Sequence, residues 1–475
     1  MGAPAWLGAL IFLILWVLLI KSKWASFPLG RAGCSLVCAC AMVVSGVLTP
    51  EEALSSVNVP TLGLLLGCML LCAHAEKAGA YGGLARVLGG GGGGWRSLLA
   101  RVSALSGAAS FLITNDTACL LLPPIVVRAG SARGAPPVPL LLAVATASNI
   151  GSACSPVGNP QNMLIALASG LPFTSFLGAI LLPSLLGLAL NGAVVAWAFA
   201  KEFGGGGESG AAAGAGLAAA AADGVDTSVI STSASAAAAV GAREEQRAPP
   251  PPPPPPQPPP PPPPPAATAS PLRASLIRAV LALALPLLLT SHLHVGLTWT
   301  VLAAAALCFA LDGEPVEPLF AKADASLLLF FSGLFVCVEG VNKTGLPDAA
   351  WALVEPAVGL SAGAPSAAGV ATFVALVAVA SNVVSNVPLV LLLAPKLSAS
   401  PSPGAWWLLL AFSSTCAGNL TLLGSVANLI VAEVGAREGV ELTFSAYNRV
   451  GPLSTLAILV AGTPLVWGCA KAMGL

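Results

Sequence analysis

Two kinds of polar interruption, each written twice in otherwise apolar sequence, constrain what this chain can fold into. The first is Thr114-Asn115-Asp116-Thr117, matched later by Ser385-Asn386; the second is Ser148 to Asn162, matched by Ser414 to Asn428. Around them the chain is 56% hydrophobic and 8% charged, with a mean hydropathy of +0.87, far below the quarter of charged residues expected of a soluble domain. No large water-soluble catalytic domain fits into such a composition, so the interruptions lie at membrane depth. Non-helical backbone is tolerated there only where it is buried in protein or lines a cavity, and paired interruptions in two halves of a chain point to a transporter's binding site.

Apolar segments long enough to span, at roughly 20 residues each, fall near 4–20, 28–48, 58–76, 138–168 and 173–200, and again near 274–290, 295–311, 325–342, 405–433 and 450–470. Two more, about 97–129 and 366–397, are broken in the middle by the Thr114-Asn115-Asp116 and Ser385-Asn386 turns and are predicted to be re-entrant hairpins. Leu62, Gly67, Lys77 and Gly79 lie 266 positions before Leu328, Gly333, Lys343 and Gly345, and the same offset relates Ser148, Gly158 and Asn162 to Ser414, Gly424 and Asn428. The hairpin tips differ by 271. Five spans per half, an odd number, set the two copies in opposite senses.

The expected fold is therefore an all-α polytopic membrane protein of two inverted repeats, each of five spanning helices plus one re-entrant hairpin, with broken helices at the midplane. Residues 1–201 form the first repeat and 271–475 the second. Between them, 202–270 is a Gly/Ala/Ser/Pro-rich tract ending in Pro249 to Pro265, broken only by Gln257. That composition cannot bury enough apolar surface to fold, and its polyproline part is an extended cytoplasmic spacer. A proline-rich ligand for an SH3 or WW domain is the alternative, but no flanking basic residue specifies an orientation.

Lysine and arginine bias short loops towards the cytoplasm. With the N-terminus outside, Lys77, Arg128, Lys201, Lys322, Arg437, Arg449 and most other basic residues fall inside, and only Lys343, Lys396 and Lys471 outside. The first apolar stretch lacks a basic leader and a small-residue cleavage site, so it is expected to remain as a helix. Net charge is zero and no long basic run occurs, which argues against nucleic acid as a partner. The eleven cysteines lie almost entirely inside apolar segments and read as small buried hydrophobes, not as a disulfide framework.

The hairpin tips put hydroxyls, amides and one carboxyl beside the N-terminus of the following helix, where free N–H groups and the helix dipole favour an anion or an oxygen-rich solute. Helix capping accounts for the same residue types, but not for two caps at matched mid-membrane places. In the second pair of breaks, Gly151, Gly158, Gly418 and Gly424 would permit unwound backbone, exposing carbonyls and N–H groups. Kinked helices packed through small residues are the alternative. The candidate binding residues are Thr114, Asn115, Asp116, Thr117, Ser148, Asn149, Gly151, Ser152, Gly158, Asn159, Asn162, Ser385, Asn386, Gly418, Asn419, Thr421, Gly424, Ser425 and Asn428. Asp116 is the one acid among them, and its counterpart is Val387. A carboxyl at membrane depth is costly and functional by default, so Asp116 is the candidate for proton or cation coupling, with a neutral cap or a paired acid as the alternative.

Other patterns carry less. Glu76, Glu339 and Glu433 fall near span ends, as do His74, His292 and His294. No His or Cys cluster has metal-ligand spacing, so neither metal nor cofactor is expected. Gly359-Leu-Ser361-Ala-Gly363 matches a nucleophile motif on paper, yet follows no predicted strand. Gly89 to Gly94 matches any glycine pattern. Asn115, Asn342 and Asn419 open glycosylation tripeptides, the first and last of them inside the membrane breaks.

Leu112-Ile-Thr-Asn-Asp-Thr-Ala118, Pro156-Val-Gly-Asn-Pro-Gln-Asn162, Phe330-Phe-Ser-Gly333, Asn342-Lys-Thr-Gly-Leu-Pro347, Ser381-Asn-Val-Val-Ser-Asn-Val-Pro388 and Ala417 to Ile430 resemble the ion transporter superfamily. Within it they are similar to the arsenite permease and citrate transporter-like group, on the branch of the plant silicon efflux transporters. The likeness covers nearly the whole chain outside the linker. It implies a scaffold and a mobile part that shuttles solute by an elevator-like movement. It also implies efflux of a small neutral hydroxylated solute, arsenite or silicic acid, against a proton gradient, at the plasma membrane in preference to an internal one. Sodium-coupled dicarboxylate relatives carry Ser-Asn-Thr at both tips; Asp116 and Val387 depart from that. No arginine lies near either break in sequence to clamp a carboxylate. Cys119, Cys154 and Cys416 lie close enough to the breaks to meet arsenite. A coupled citrate or dicarboxylate carrier, a passive channel and an intramembrane hydrolase are the competing readings, and a homodimer is left open.

Overall fold

The computed structural model describes residues 5–21, 29–78, 82–90, 93–204, 275–276, 278–282, 296–313, 315–362 and 366–475. Most of the expected span 274–290 and of the linker 202–270 lies outside the described residues, as do Gly79, His292 and His294.

Every regular element among the described residues is a helix. The first half runs α1 (Ala5–Lys21), α2 (Gly30–Val44), α3 (Pro50–Ser56), α4 (Val59–Lys77), α5 (Gly82–Gly89), α6 (Trp95–Leu112), α7 (Asn115–Ser131), α8 (Pro137–Ser152), α9 (Pro160–Ser169), α10 (Phe173–Ala198) and α11 (Ala200–Gly204). The second half runs α12 (Leu297–Asp312), α13 (Glu317–Phe320), α14 (Ala325–Asn342), α15 (Leu346–Val358), α16 (Ala367–Val384), α17 (Asn386–Ser398), α18 (Pro403–Ala417), α19 (Val426–Arg437), α20 (Phe444–Asn448) and α21 (Gly451–Ala472). Five stretches, α4, α10, α14, α16 and Phe444–Ala472, are long and apolar enough to cross a membrane by length and composition. Those features mark an integral, multi-pass membrane protein.

The boundaries follow from local chemistry. Asn58 caps α4, its Oδ1 accepting from the Thr61 N–H at 2.9 Å, with Pro60 in the first turn where a missing N–H costs nothing. Thr49 and Glu52 form a reciprocal capping box at α3. Asp324 and Ser366 cap α14 and α16 in the same way as Asn58, and Gly170, at φ +66°, ends α9 in the left-handed conformation that glycine adopts without strain.

Two groups of helices result. In one, α2 packs on α14, α4 on α12, and α1 braces α2 and α14. In the other, α6 packs on α8, α10 on α21, α18 on both α16 and α21, α7 on α19 and α17 on α9. The groups meet where α4 touches α9 and α14 touches α17. Lipid is as apolar as leucine, so close backbone approach, not exclusion of water, must hold such helices together. Accordingly, a Cβ on Gly67 would lie 2.7 Å from Val301 of α12, and one on Gly333 2.7 Å from the Ser35 backbone of α2. These are the glycines related by the 266-residue offset, and each admits a helix of the other half. α8 and α18 lie at the centre of the second group, buried from Pro139 to Ser152 and from Ala405 to Ala417. The Trp406 ring meets Phe373 edge-on at 5.1 Å.

Candidate functional site

Both expected hairpins have their turn where the polar residues stand. α6 ends at Leu112, Ile113 leaves the helix, and Thr114 caps α7, its Oγ1 accepting from the Thr117 N–H at 3.3 Å with the two hydroxyls 2.9 Å apart. α16 and α17 meet at Ser385, the single non-glycine residue with positive φ (φ +74°, ψ +156°) among those described. That region is essentially reserved for glycine and costs a side-chain-bearing residue about 1–3 kcal/mol.

The second pair of breaks is shorter than the sequence pattern implies. Ser148, Asn149, Gly151 and Ser152 are still helical in α8, and the interruption runs from residue 153 to 159; in the other half Ser414 is helical and the break is 418–425. Nor do the four glycines serve through unusual dihedrals, since none has positive φ. Three of them are needed for space: a Cβ on Gly151 would fall 2.2 Å from the Gly107 carbonyl oxygen of α6, one on Gly158 2.5 Å from that of Ser152, and one on Gly424 2.3 Å from Asn382 Oδ1. The small-residue packing weighed as an alternative is thus what Gly151 does.

Asn149 joins the pieces. Its Oδ1 accepts from Asn115 Nδ2 at 2.9 Å and from Ser425 Oγ at 3.1 Å, while its Nδ2 donates to Asn419 Oδ1 at 2.8 Å and Asn428 Oδ1 at 3.1 Å. The Asn115 N–H donates to the Gly158 carbonyl at 2.9 Å. Hairpin one, α8, the first break and the second break therefore converge on a buried set of amides and hydroxyls. Thr415, the residue 266 positions after Asn149, holds the mirrored place: its Oγ1 lies 3.4 Å from Asn159 Nδ2 and from Asn162 Oδ1. A hydroxyl reaches less far than an amide, and Asn386 at the second tip has a buried Oδ1 with no hydrogen-bond partner. Hairpin two is instead tied one turn before its tip, where Asn382 Nδ2 donates to the Ala417 carbonyl at 2.8 Å and Thr421 Oγ1 donates to Asn382 Oδ1 at 3.0 Å.

Asp116 opens α7, half-buried, and its counterpart Val387 is buried. The sequence shows no arginine beside either break, but the fold brings Arg31 of α2 and Asp324 of α14 into electrostatic reach of Asp116. Glu433 acts on the same guanidinium. Cys119, Cys154 and Cys416 are buried, with Cys154 Sγ bonded to the Gly151 carbonyl at 3.3 Å. Cys72 of α4 reaches the tip of hairpin one at Thr117.

Sequence reasoning missed several of these groups. Tyr447 donates to the Asn419 carbonyl at 3.2 Å, and Asn191 links Thr146 (2.8 Å) to Ser454 (2.7 Å) across α8, α10 and α21. Isolated polar residues inside spans were the only signal for them. Between α4 and α12, Asp312 is buried with Lys77 Nζ at 2.7 Å and His74 Nδ1 at 4.0 Å. Glu76 meets Lys322 at 3.1 Å. Among the described residues no group of His, Cys, Asp and Glu is placed to hold a metal. Ser361 follows a helix, and its hydroxyl donates to Glu355 Oε1 at 2.6 Å, closing a surface turn.

The citrate transporter family model, CitMHS, matches residues 13–410. The chain is 37% identical over 474 residues to the silicon efflux transporter LSI3 of Oryza sativa subsp. japonica, covering 97% of each chain. It is 36% identical over 517 residues to a putative transporter, arsB, of Dictyostelium discoideum, covering 96% of this chain and 91% of the other. An uncharacterized transporter of Mycobacterium tuberculosis is 26% identical over 469 residues, covering 93% and 95%. With its family model matched over most of its length, the chain belongs to the citrate transporter family, CitMHS, a family of membrane transporters.

Proposed function

We propose that the chain is a secondary active transporter that exports a small neutral hydroxylated solute, arsenous or silicic acid, in exchange for protons at the plasma membrane. The observation that carries this reading is the converged centre around Asn149, made of amides and hydroxyls, next to which Asp116 follows Asn115 in the chain as the one ionisable candidate. A hydroxylated solute could take over the donors and acceptors that these groups now exchange with one another, and none of the bonded groups carries a fixed charge to clamp a carboxylate. Relatives named for silicon efflux and arsB point the same way.

In this reading residues 1–201 and 271–475 are inverted repeats joined by a cytoplasmic linker at 202–270. The ion pairs support that topology. Glu76 with Lys322, Arg128 with Glu438 and Glu202 with Arg449 join residues assigned to the cytoplasmic side, whereas Glu52 with Lys343 and Asp348 with Lys396 join residues assigned to the outside. An opposite sense for either half would pair residues across the bilayer. The two helix groups fit an elevator: α1, α2, α4, α12 and α14 act as scaffold, and the hairpins with the broken helices move against it along the α4–α9 and α14–α17 seam.

Citrate is the competing solute, favoured by the family's description and by Arg31 near Asp116. Everted vesicles containing the protein decide between them. Labelled arsenite or germanic acid should accumulate only with a pH gradient, and citrate should not. Selective citrate movement with sodium would replace this reading, and solute flux indifferent to the gradient would make the protein a channel.

A further inference from the structure

We propose that Asn162 and Asn428 fill, with their own amide nitrogens, the two carbonyl cages left by helix unwinding, so that neither break takes an alkali cation. The inference rests on reading these breaks as the transport site and deepens it by assigning the coupling-ion class.

Unwinding a helix at membrane depth strands backbone carbonyls that water cannot reach. They must be satisfied by donors from the protein or by a bound cation. In the first break Asn162 Nδ2 lies 3.2 Å from the Ser152 carbonyl oxygen, 3.0 Å from that of Ala153 and 3.2 Å from that of Ser155. In the second, Asn428 Nδ2 lies 2.8 Å from the Gly418 oxygen and 3.2 Å from that of Thr421. Three of these oxygens also accept a backbone N–H, Ser152 from Ser155 at 3.2 Å, Ser155 from Gly158 at 3.2 Å and Thr421 from Gly424 at 3.0 Å, and neighbouring carbonyls are taken as well: Gly158 by the Asn115 N–H, Ala417 by Asn382 and Asn419 by Tyr447.

The amide orientations are dictated by their surroundings. Asn428 Oδ1 accepts from Asn149 Nδ2 at 3.1 Å and Asn162 Oδ1 from Thr415 Oγ1 at 3.4 Å. Flipping either amide would turn an oxygen, which only accepts, onto carbonyl oxygens. Both side chains are fully buried, and they are related by the 266-residue offset, so one device appears in each half. Hard cations such as calcium draw oxygen ligands to about 2.3–2.6 Å; these cages are set at N–H···O spacing around a nitrogen. An entering cation would have to expel an amide and break its bonds to the carbonyls, with no carboxylate at residue 162 or 428 to repay the loss.

Thermal unfolding of the detergent-purified full chain at pH 8, in sodium, lithium or choline chloride at one ionic strength, tests this. The wild-type midpoint should agree across the three salts to within about 1 °C, whereas a cation bound well above its dissociation constant would raise it by about 5 °C. Asn162→Asp, which sets an acceptor-only carboxylate against three carbonyls, should lose stability in choline and regain about 5 °C in sodium. A saturable sodium shift in the wild type overturns the proposal, as does a folded Asn162→Asp protein indifferent to sodium. Should that variant not fold, Asn428→Asp takes its place and the wild-type arm still decides. Failure of the solute assignment would show in vesicle flux and leave these midpoints unchanged.

Discussion

Replacing Asn149 by alanine removes four hydrogen bonds from one buried side chain: two accepted, from Asn115 and Ser425, and two donated, to Asn419 and Asn428. Interhelical bonds in membrane proteins average about 0.6 kcal/mol, which sets a lower figure of about 2.4 kcal/mol for four. A buried polar group left without a partner costs about 1–3 kcal/mol in a soluble protein, and Asn115 Nδ2 and Asn419 Oδ1 would both be left so. An intermediate loss of about 4 kcal/mol follows, or about 8 °C in midpoint at about 2 °C per kcal/mol for a large domain. Asn191→Ala is the internal control, because Asn191 is equally buried in the same helix group but makes two such bonds, to Thr146 and Ser454. Its loss should be about half. Unfolding of both variants, followed by fluorescence-detected size exclusion after heating, reads the difference. If Asn149→Ala loses no more than Asn191→Ala, the convergence on Asn149 is a set of proximities without cooperative weight, and the centre proposed as the solute site loses its keystone.

Asp116→Asn should leave solute entry possible while removing the dependence of vesicle flux on the pH gradient; gradient-driven flux in that variant would put coupling elsewhere. Gly151→Val should prevent folding, since even its Cβ would overlap the Gly107 backbone of α6, and a monodisperse variant melting like wild type would refute that packing. The Arg449 guanidinium bonded to Glu202 holds that exposed carboxyl below its usual range. A depressed folded value means its small contribution is present above the ordinary carboxylate value and is lost as pH falls through the lower, folded one. Wild type should therefore lose slightly more midpoint than Glu202→Gln between pH 7 and pH 3, and equal losses would show the pair to be inert.

Much of the fold was legible because membrane depth imposes simple rules. The predicted span 325–342 coincides with α14, and 173–200 with α10, because a run of about 20 apolar residues has few alternatives to a helix. Hairpin turns at Thr114 and Ser385 and breaks near Gly158 and Gly424 were visible as polar residues where lipid forbids them. The break lengths were not: Ser148 to Ser152 satisfy their backbone within α8 while their side chains look like loop residues. Arg31 was invisible as a charge acting on Asp116 because it stands 85 positions earlier in the sequence and only the fold brings it within electrostatic reach.

Sequence by itself determined that this is a polytopic helical membrane protein, that matched residues recur in its two halves at an offset of 266, and that one tip carries an acid where the other carries Val387. Those are local facts, fixed by hydropathy and by which residue stands at each position. Tertiary structure alone decided how the two halves meet: Gly67 and Gly333 each admit a helix of the other half, and Asn149 ties hairpin one to the second break. It also decided that Asn162 and Asn428 turn their amides onto carbonyls of the two breaks. A buried amide declares its type in the sequence, but its partner is set by the helices packed against it.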